Sequence, residues 1–183
     1  MTLRQFRAVF CTLLFVAPAY GAFAQTKHAD SSASAKRFAQ SFYDWYTPFA
    51  TSDSLDRLGK ISAEVPTTER PELFSPQLLA ALRADFLAEA NAKGDPAGID
   101  FDPFLSGQNP CEQYKVGSIS LRHKSYLAKV YPVCSGKLSD SVQVIAELQP
   151  TANGWQFINF HYPRAHTDLV RALKYWRDQR RKP

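Results

Sequence analysis

Hydrophobic residues recur at helical spacing in three parts of the chain. In the first part, aromatic side chains three or four residues apart predict one face of a helix: Phe38, Phe42, Trp45, Tyr46 and Phe49. Pro48 is expected to end or kink this helix. In the second part, Ser75 is a favourable N-cap, Pro76 fits a first turn and Gly94 suits the position after the last turn. The third helix is amphipathic and lies within residues 167–183.

Between the second and third helices the hydrophobic period changes to two, which is typical of β-strands. Four strands are predicted, at residues 114–121, 125–134, 141–149 and 155–162. Pro132 indicates that the second strand lies at a sheet edge or contains a bulge, because proline lacks the N–H that a ladder uses. Helices followed by strands predict the α+β class, in which N-terminal helices pack on a curved four-stranded antiparallel sheet.

The N-terminus has the pattern of a secretory signal peptide. Arg4 and Arg7 precede a largely apolar run over residues 8–17, and Ala22-Phe23-Ala24 has the small residues of a cleavage site. This run is much shorter than the ~20 residues that a membrane-spanning helix requires. We therefore expect cleavage near Ala24 and a periplasmic or secreted protein without a transmembrane segment. The predicted organisation is a signal peptide (1–24), a flexible lead-in (25–34), one α+β domain (35–166) and a basic C-terminal helix and tail (167–183).

The composition is that of one globular domain, since 45% of the 183 residues are hydrophobic and 21% are charged. Cleavage removes Arg4 and Arg7 and lowers the formal net charge from +5 to +3. Residues 167–183 carry six basic and two acidic side chains, so the rest of the mature chain is nearly neutral. A chain without a broad basic face is not expected to bind nucleic acid.

The basic side chains of the last helix have two interpretations. They complement the helix dipole at a solvated end, or they dock on an acidic surface, either anionic lipid headgroups or another envelope protein. The residues that would carry such docking are Arg171, Lys174, Arg177, Arg180 and Arg181.

Cys111 and Cys134 are the two cysteines that remain after cleavage. They are symmetric about a polar turn at residues 122–124, so an antiparallel hairpin would place them opposite each other with Cα atoms ~4.5 Å apart. An exported protein is in an oxidising environment, and we predict a structural disulfide. The spacing differs from that of C-x-x-C redox motifs and of Cys/His metal sites.

Two acidic residues and three histidines are the candidates for chemistry: Asp100, Asp102, His123, His161 and His166. Asp100 and Asp102 would point the same way in an extended stretch, and their repulsion would raise one pKa. Alternatively, Asp102 caps a turn before Pro103. His161 could act as a general base with Asp102 in a cavity lined by the sheet, or it could be a structural or solvent-facing histidine.

The face on which His161 lies depends on the strand register. In one register Trp155, Phe157 and His161 face one side of the sheet, and Ile158, Phe160 and Tyr162 face the other. The aromatic face of the first helix either forms core or lines a pocket for an apolar or sugar-like ligand. Candidate ligand-binding residues are Tyr43, Trp45, Asp100, Asp102 and Gln108. The strong catalytic and cofactor motifs are not found in the sequence, and we predict neither a metal nor a cofactor.

Several motifs occur together in this chain: Phe42-Tyr43-Asp44-Trp45-Tyr46, Leu73-Phe74-Ser75, Asp100-Phe101-Asp102-Pro103-Phe104-Leu105 followed by Gln108, and Trp155 at a strand start. In these motifs, from about Phe38 to Tyr162, the chain resembles domain-of-unknown-function family 3828 of exported bacterial proteins. The resemblance implies export and a fold similar to the nuclear-transport-factor-2-like (cystatin-like) α+β cone. It implies no established activity, and Asn109 stands where the family pattern leads us to expect an acid.

Three functional hypotheses follow from the sequence. The first is a non-enzymatic periplasmic module that binds a protein or a small ligand through the sheet, the acidic loop or the basic terminal helix. The second is a small cone-fold enzyme with Asp102 and His161 as an acid/base pair in an apolar cavity. The third is a periplasmic immunity protein. We prefer the first, and the fold by itself does not decide among them.

Overall fold

A computed structural model describes residues 20–52, 62–92 and 97–181 of the protein, with side chains from residue 30 onward. Within these ranges the α-helices are α1 (Tyr20–Ala50), α2 (Glu64–Glu69), α3 (Pro76–Ala90) and α4 (Leu169–Gln179). The strands are β1 (Gln113–Arg122), β2 (Ser125–Cys134), β3 (Lys137–Leu138), β4 (Val144–Thr151), β5 (Gly154–Tyr162) and β6 (Thr167–Asp168). The α+β class is confirmed, and the short strands β3 and β6 are additional to the four predicted.

The first helix is longer than predicted at both ends. It begins at Tyr20, so residues 25–34, predicted as a flexible lead-in, are helical. At its other end α1 continues through Pro48 to Ala50. Because Pro48 lies in the last turn, its missing N–H removes only one backbone hydrogen bond. The apolar run of the predicted signal peptide, residues 8–17, lies outside the described residues.

Helix α3 begins where the sequence predicts. The Ser75 hydroxyl accepts a hydrogen bond from the Leu78 N–H at 3.3 Å, and the Ser75 N–H donates to the Phe157 carbonyl at 2.9 Å. The same residue therefore caps α3 and fastens it to the edge of β5. The helix ends at Ala90, earlier than predicted, with Asn91 as its C-cap. Gly94 lies outside the described residues.

The strands form one antiparallel sheet in the order β1-β2-β4-β5-β6, with β3 paired to β2. As a whole β2 lies between β1 and β4, so the predicted edge position holds only for the stretch around Pro132. Pairing with β4 extends only to Val130, and Pro132 lies beyond that point. The Pro132 carbonyl accepts from the Ser139 N–H at 2.9 Å, so this edge of β2 faces a turn and the missing proline N–H costs no bond to β4.

The aromatic face of α1 packs against the sheet and forms the core. The Phe42 ring centroid lies 6.2 Å from that of Phe74, 5.5 Å from that of Phe104 and 4.8 Å from that of Phe157. Burial of each large apolar side chain contributes about 1.5–3 kcal/mol. The largest fully buried side chains are Tyr43, Tyr46, Phe42, Phe74, Phe104, Phe157, Phe160, Leu82, Leu105, Leu148, Leu169 and Val130.

Cys111 and Cys134 form the predicted disulfide, with Cα atoms 4.8 Å apart. The register that predicted it is wrong, because Arg122 pairs with Ser125 and the turn is centred one residue later than predicted; the bulge between Val116 and Ile119 reverses half of the resulting two-residue offset. Gln113 therefore pairs with Val133, and Cys111 reaches its partner from the segment just before β1. None of the helices in the described ranges has both the length and the apolar content that a membrane crossing needs.

Candidate functional site

The acidic loop, residues 100–108, is held in shape by Asp102. The Asp102 carboxylate accepts backbone hydrogen bonds from Phe104 at 2.8 Å and Leu105 at 3.0 Å. The Asp102 N–H donates to the Gly107 carbonyl at 3.1 Å, and its carbonyl accepts from the Ser106 N–H at 2.8 Å. These contacts are those of a side chain that caps a turn, which is the second interpretation offered by the sequence.

Asp102 also receives a hydrogen bond from helix α1. The Tyr46 hydroxyl donates to its carboxylate at 2.5 Å. Burial raises the pKa of Asp102 from 3.8 to about 6, although the hydrogen bonds from Tyr46, Phe104 and Leu105 oppose this shift. Burial and the nearby Asp102 charge raise the pKa of Tyr46 well above 10.0. Tyr46 and Asp102 therefore attach the acidic loop to α1, and their polar atoms are used in hydrogen bonds within the protein.

Asp100 and Asp102 do not form the acidic pair that the sequence suggests. Asp100 is exposed, whereas the carboxylate of Asp102 lies against the buried Tyr46. The raised pKa of Asp102 comes from burial rather than from a like charge. Gln108 donates from its side chain to the Asp100 carbonyl at 3.0 Å and so closes the acidic loop on itself. These residues have structural contacts within the loop.

His161 pairs with Glu147 and lies away from Asp102. The distance between His161 Nε2 and a Glu147 carboxylate oxygen is 2.8 Å. On β5 the neighbouring Tyr162 points to the other face, where its hydroxyl donates to the carbonyl of Pro103, next to Asp102. Since adjacent side chains of a strand point to opposite faces, the sheet separates His161 from the acidic loop. The predicted acid/base pair of Asp102 and His161 is not formed.

A serine completes the contacts of Glu147 without making a nucleophilic site. The Ser125 hydroxyl donates to Glu147 at 2.5 Å. The carboxylate thus lies between the serine and His161, and the histidine does not accept the serine proton. A serine nucleophile needs its base within direct hydrogen-bonding reach. The three residues line a cavity of about 460 Å³.

A bulge in β5 explains why the predicted strand faces were wrong. Glu147 pairs with Asn159 whereas Leu148 pairs with Phe157, so β5 has one extra residue, Ile158. The insertion places Phe157 and Phe160 on the same side, where both are buried and their ring centroids are 5.0 Å apart. Phe157 therefore faces the core, contrary to the register that grouped it with His161.

The predicted ligand residues of α1 are occupied by packing contacts. Tyr43 is fully buried, and its hydroxyl donates to the Phe104 carbonyl at 3.2 Å. Trp45 is half-buried on the flank of the helix, where the Arg70 guanidinium lies 4.2 Å from its ring centroid. Phe42 and Tyr46 are packed in the core, whereas Tyr43 also lines a cavity of about 310 Å³ between α1 and β1.

The terminal helix α4 docks on the domain through an ion pair that the sequence analysis missed. Arg180 Nη1 lies 2.7 Å from a carboxylate oxygen of Asp85 and also donates to the Ala97 carbonyl. Asp85, only 1% exposed, accepts a second bond from the Ile99 N–H at 2.9 Å. The sequence did contain a sign of this ion pair. Asp85 follows Leu82 by three residues on α3, which places both side chains on the same buried face of the helix.

The other basic residues in the described part of α4 and its end remain at the surface. Arg171 pairs with Asp168 at 3.2 Å, and Lys174 pairs with Asp178 at 2.6 Å. Arg177 lies 3.5 Å from Asp178, the same carboxylate that Lys174 uses. Arg181 is exposed. Of the five predicted docking residues, Arg180 therefore has a structural role on α3 and the others are available to a ligand or partner.

A groove of about 490 Å³ lies between α3, α4 and β5. Its apolar surface comes from small and branched side chains, including that of Ile158, the extra residue of the β5 bulge. Lys174 and Arg177 stand on its α4 rim, and the docked Arg180 closes one part of it. The lining residues are Ser75, Gln77, Leu78, Ala80, Ala81, Ala84, Ile158, Val170, Leu173, Lys174, Arg177 and Arg180. We call this feature the α3–α4 groove.

Comparison of the chain with protein-family models, with curated proteins and with solved structures finds no match in any of the three. The described part of the chain also contains no group of three or more His, Cys, Asp or Glu side chains that could hold a metal ion. The α3–α4 groove is one candidate site that the geometry supplies; a cavity of about 460 Å³ beside Ser125, Glu147 and His161 is another, with a more polar lining.

Proposed function

We propose that the protein is an exported, non-enzymatic binding module that takes its ligand in the α3–α4 groove. The supporting observation is the groove itself, whose volume of about 490 Å³ lies within the ~300–1,000 Å³ of typical ligand sites. Its lining combines an apolar surface with a few charged groups, as such sites do. Asp102 and His161 lie on opposite faces of the sheet, so the geometry does not favour the enzyme hypothesis in which they act as an acid/base pair.

The proposal includes a periplasmic location, membership of domain-of-unknown-function family 3828 and a nuclear-transport-factor-2-like cone. The Cys111–Cys134 disulfide supports export, because such bonds persist in oxidising compartments. An antiparallel sheet preceded by helices supports the fold, and the proposal of the family rests on the sequence motifs alone. Sequencing the N-terminus of protein taken from a periplasmic fraction tests the location: Gln25 is the expected first residue, and an intact Met1 would contradict export by cleavage.

Binding in the groove is tested with a neutral apolar dye, Nile red, whose fluorescence rises in apolar surroundings. Ala84→Trp on α3 places an indole in the groove and should reduce dye affinity at least tenfold. Leu87→Trp is the matched control, because Leu87 is on the same helix, is 66% exposed and does not line the groove. Thermal unfolding of both variants shows whether each remains folded.

Two outcomes would overturn the proposed function. Either the wild-type protein gives no saturable increase in dye fluorescence, or folded Ala84→Trp and Leu87→Trp bind the dye as the wild type does. Retained binding by Leu87→Trp together with loss in Ala84→Trp supports the α3–α4 groove as the site.

A further inference from the structure

We propose that the ligand of the α3–α4 groove is a free single-chain anionic amphiphile, such as a fatty acid, with its carboxylate at Lys174 and Arg177. This inference rests on the proposed function and adds the chemical class of the ligand. It follows from the size of the groove, the nature of its floor and the position of its charges.

The size of the groove favours a small ligand over a protein. Twelve residues line it, whereas each side of a standard protein–protein interface contributes about 20–30 residues. A volume of about 490 Å³ is suited to one flexible chain and a compact head group. Protein docking on this groove alone would therefore lack the contact surface of a stable complex.

The floor of the groove suits an acyl chain. On α3, Ala80, Ala81 and Ala84 present only methyl groups, which leaves room above the helix. On the opposite side, Val170 is 46% exposed and would lose this exposure under a bound chain. Burial of such apolar surface is favourable by roughly 25 cal/mol per Å². The remaining apolar lining comes from Leu78, Ile158 and Leu173.

The charges of the groove select an anion. Every charged residue that lines it is basic, and Arg180 is neutralised by Asp85. Lys174 and Arg177 are one helical turn apart, with side chains 65% and 53% exposed, and they share the single carboxylate of Asp178. Because the two cations share one carboxylate, the rim keeps a net positive charge. A ligand carboxylate can bind there as a second anion. A neutral amphiphile would gain only the apolar contacts.

The test compares dodecanoate with dodecanol, two ligands that have the same chain and different head groups. The affinity of each ligand is measured by displacement of Nile red at low ionic strength. Ligand concentrations are kept below those at which either ligand self-associates. We expect dodecanoate to bind about tenfold more tightly, and high salt to reduce this preference. The double variant Lys174→Gln/Arg177→Gln should bind both ligands equally.

The matched control is Arg171→Gln/Arg181→Gln, which removes the same charge from the same end of the chain but outside the groove. It should retain the preference for dodecanoate. Equal binding of the two ligands by the wild type, or equal loss of the preference in both double variants, would overturn the inference. In either case Nile red binding that is sensitive to Ala84→Trp would leave the proposed function standing.

Membrane binding is the remaining alternative for these cations. Phosphatidylglycerol vesicles, tested by co-sedimentation, supply anionic head groups whose chains stay in the bilayer. Vesicle binding without displacement of the dye by dodecanoate would replace the inference with docking on a lipid surface. Displacement by dodecanoate without vesicle binding is the expected result.

Discussion

The Tyr46 hydroxyl donates a 2.5 Å hydrogen bond to the carboxylate of Asp102, which joins helix α1 to the acidic loop. Burial of the carboxylate raises its pKa to about 6, although this hydrogen bond favours the ionised form. A group with a raised pKa in the folded state binds its proton more tightly there than in the unfolded chain. The contribution of Asp102 to stability is therefore complete below pH 3.8 and is lost as the pH rises through 6.

Asp102→Asn should remove this pH dependence. Asparagine can accept the loop N–H bonds through Oδ1 and donate to Tyr46 through Nδ2, but it does not titrate. Between pH 4 and pH 7 the free energy of unfolding of the variant should rise relative to the wild type by roughly 2 kcal/mol. Urea unfolding across this range measures it, with the exposed Asp100→Asn as control. Parallel curves for Asp102→Asn and the wild type would refute the assignment.

Tyr46→Phe removes the hydroxyl that donates to Asp102. The buried, ionised carboxylate of Asp102 then has one hydrogen bond fewer to stabilise its charge. At pH 7 the loss of stability should be about 2 kcal/mol, as for hydrogen bonds to charged groups. It should shrink below pH 6, where Asp102 is protonated. Tyr43→Phe is the control: this buried tyrosine donates to a neutral carbonyl at 3.2 Å, so its loss should be about 1 kcal/mol and independent of pH. Equal, pH-independent losses for both variants would contradict the prediction.

Arg180→Gln should loosen α4 from α3. Asp85 is buried, and without Arg180 its charge is left with the Ile99 N–H alone. Breaking such a pair from one side costs about 3–5 kcal/mol. The exposed Arg171→Gln should cost less than about 1 kcal/mol. Chemical denaturation gives the free energies, and faster proteolysis within α4 would report the loosening. The pairing would be unimportant if Arg180→Gln and Arg171→Gln unfolded alike.

Replacement of both cysteines by serine should lower the free energy of unfolding by roughly 3 kcal/mol, since the disulfide restricts a loop of the unfolded chain. The bonded cysteines are 23 residues apart. Titration of free thiols in unfolded, unreduced protein that starts at Gln25 should find none. Two thiols per chain, or a double variant as stable as the oxidised wild type, would show that the bond is not part of the native protein.

The sequence determined the features that depend on local order. The hydrophobic period predicted α1, α3, α4 and the four long strands but not the short α2, and β2 has the predicted bounds of Ser125–Cys134. Ser75 and Pro76 marked the start of α3 because capping involves only neighbouring residues. The disulfide was predictable because only two cysteines remain in the mature chain. The position of Asp102 immediately before Pro103 predicted that its side chain would cap a turn.

Only the tertiary structure decided which side chains meet. The β5 bulge inserts Ile158 and puts Phe157 on the same face as Phe160, and a one-residue change of register reverses every face beyond it. The same effect separates Asp102 from His161. Asp85 and Arg180 are 95 residues apart in the sequence, so their pairing depends on how two helices pack. The α3–α4 groove exists for the same reason: it is the space between elements that no local pattern brings together.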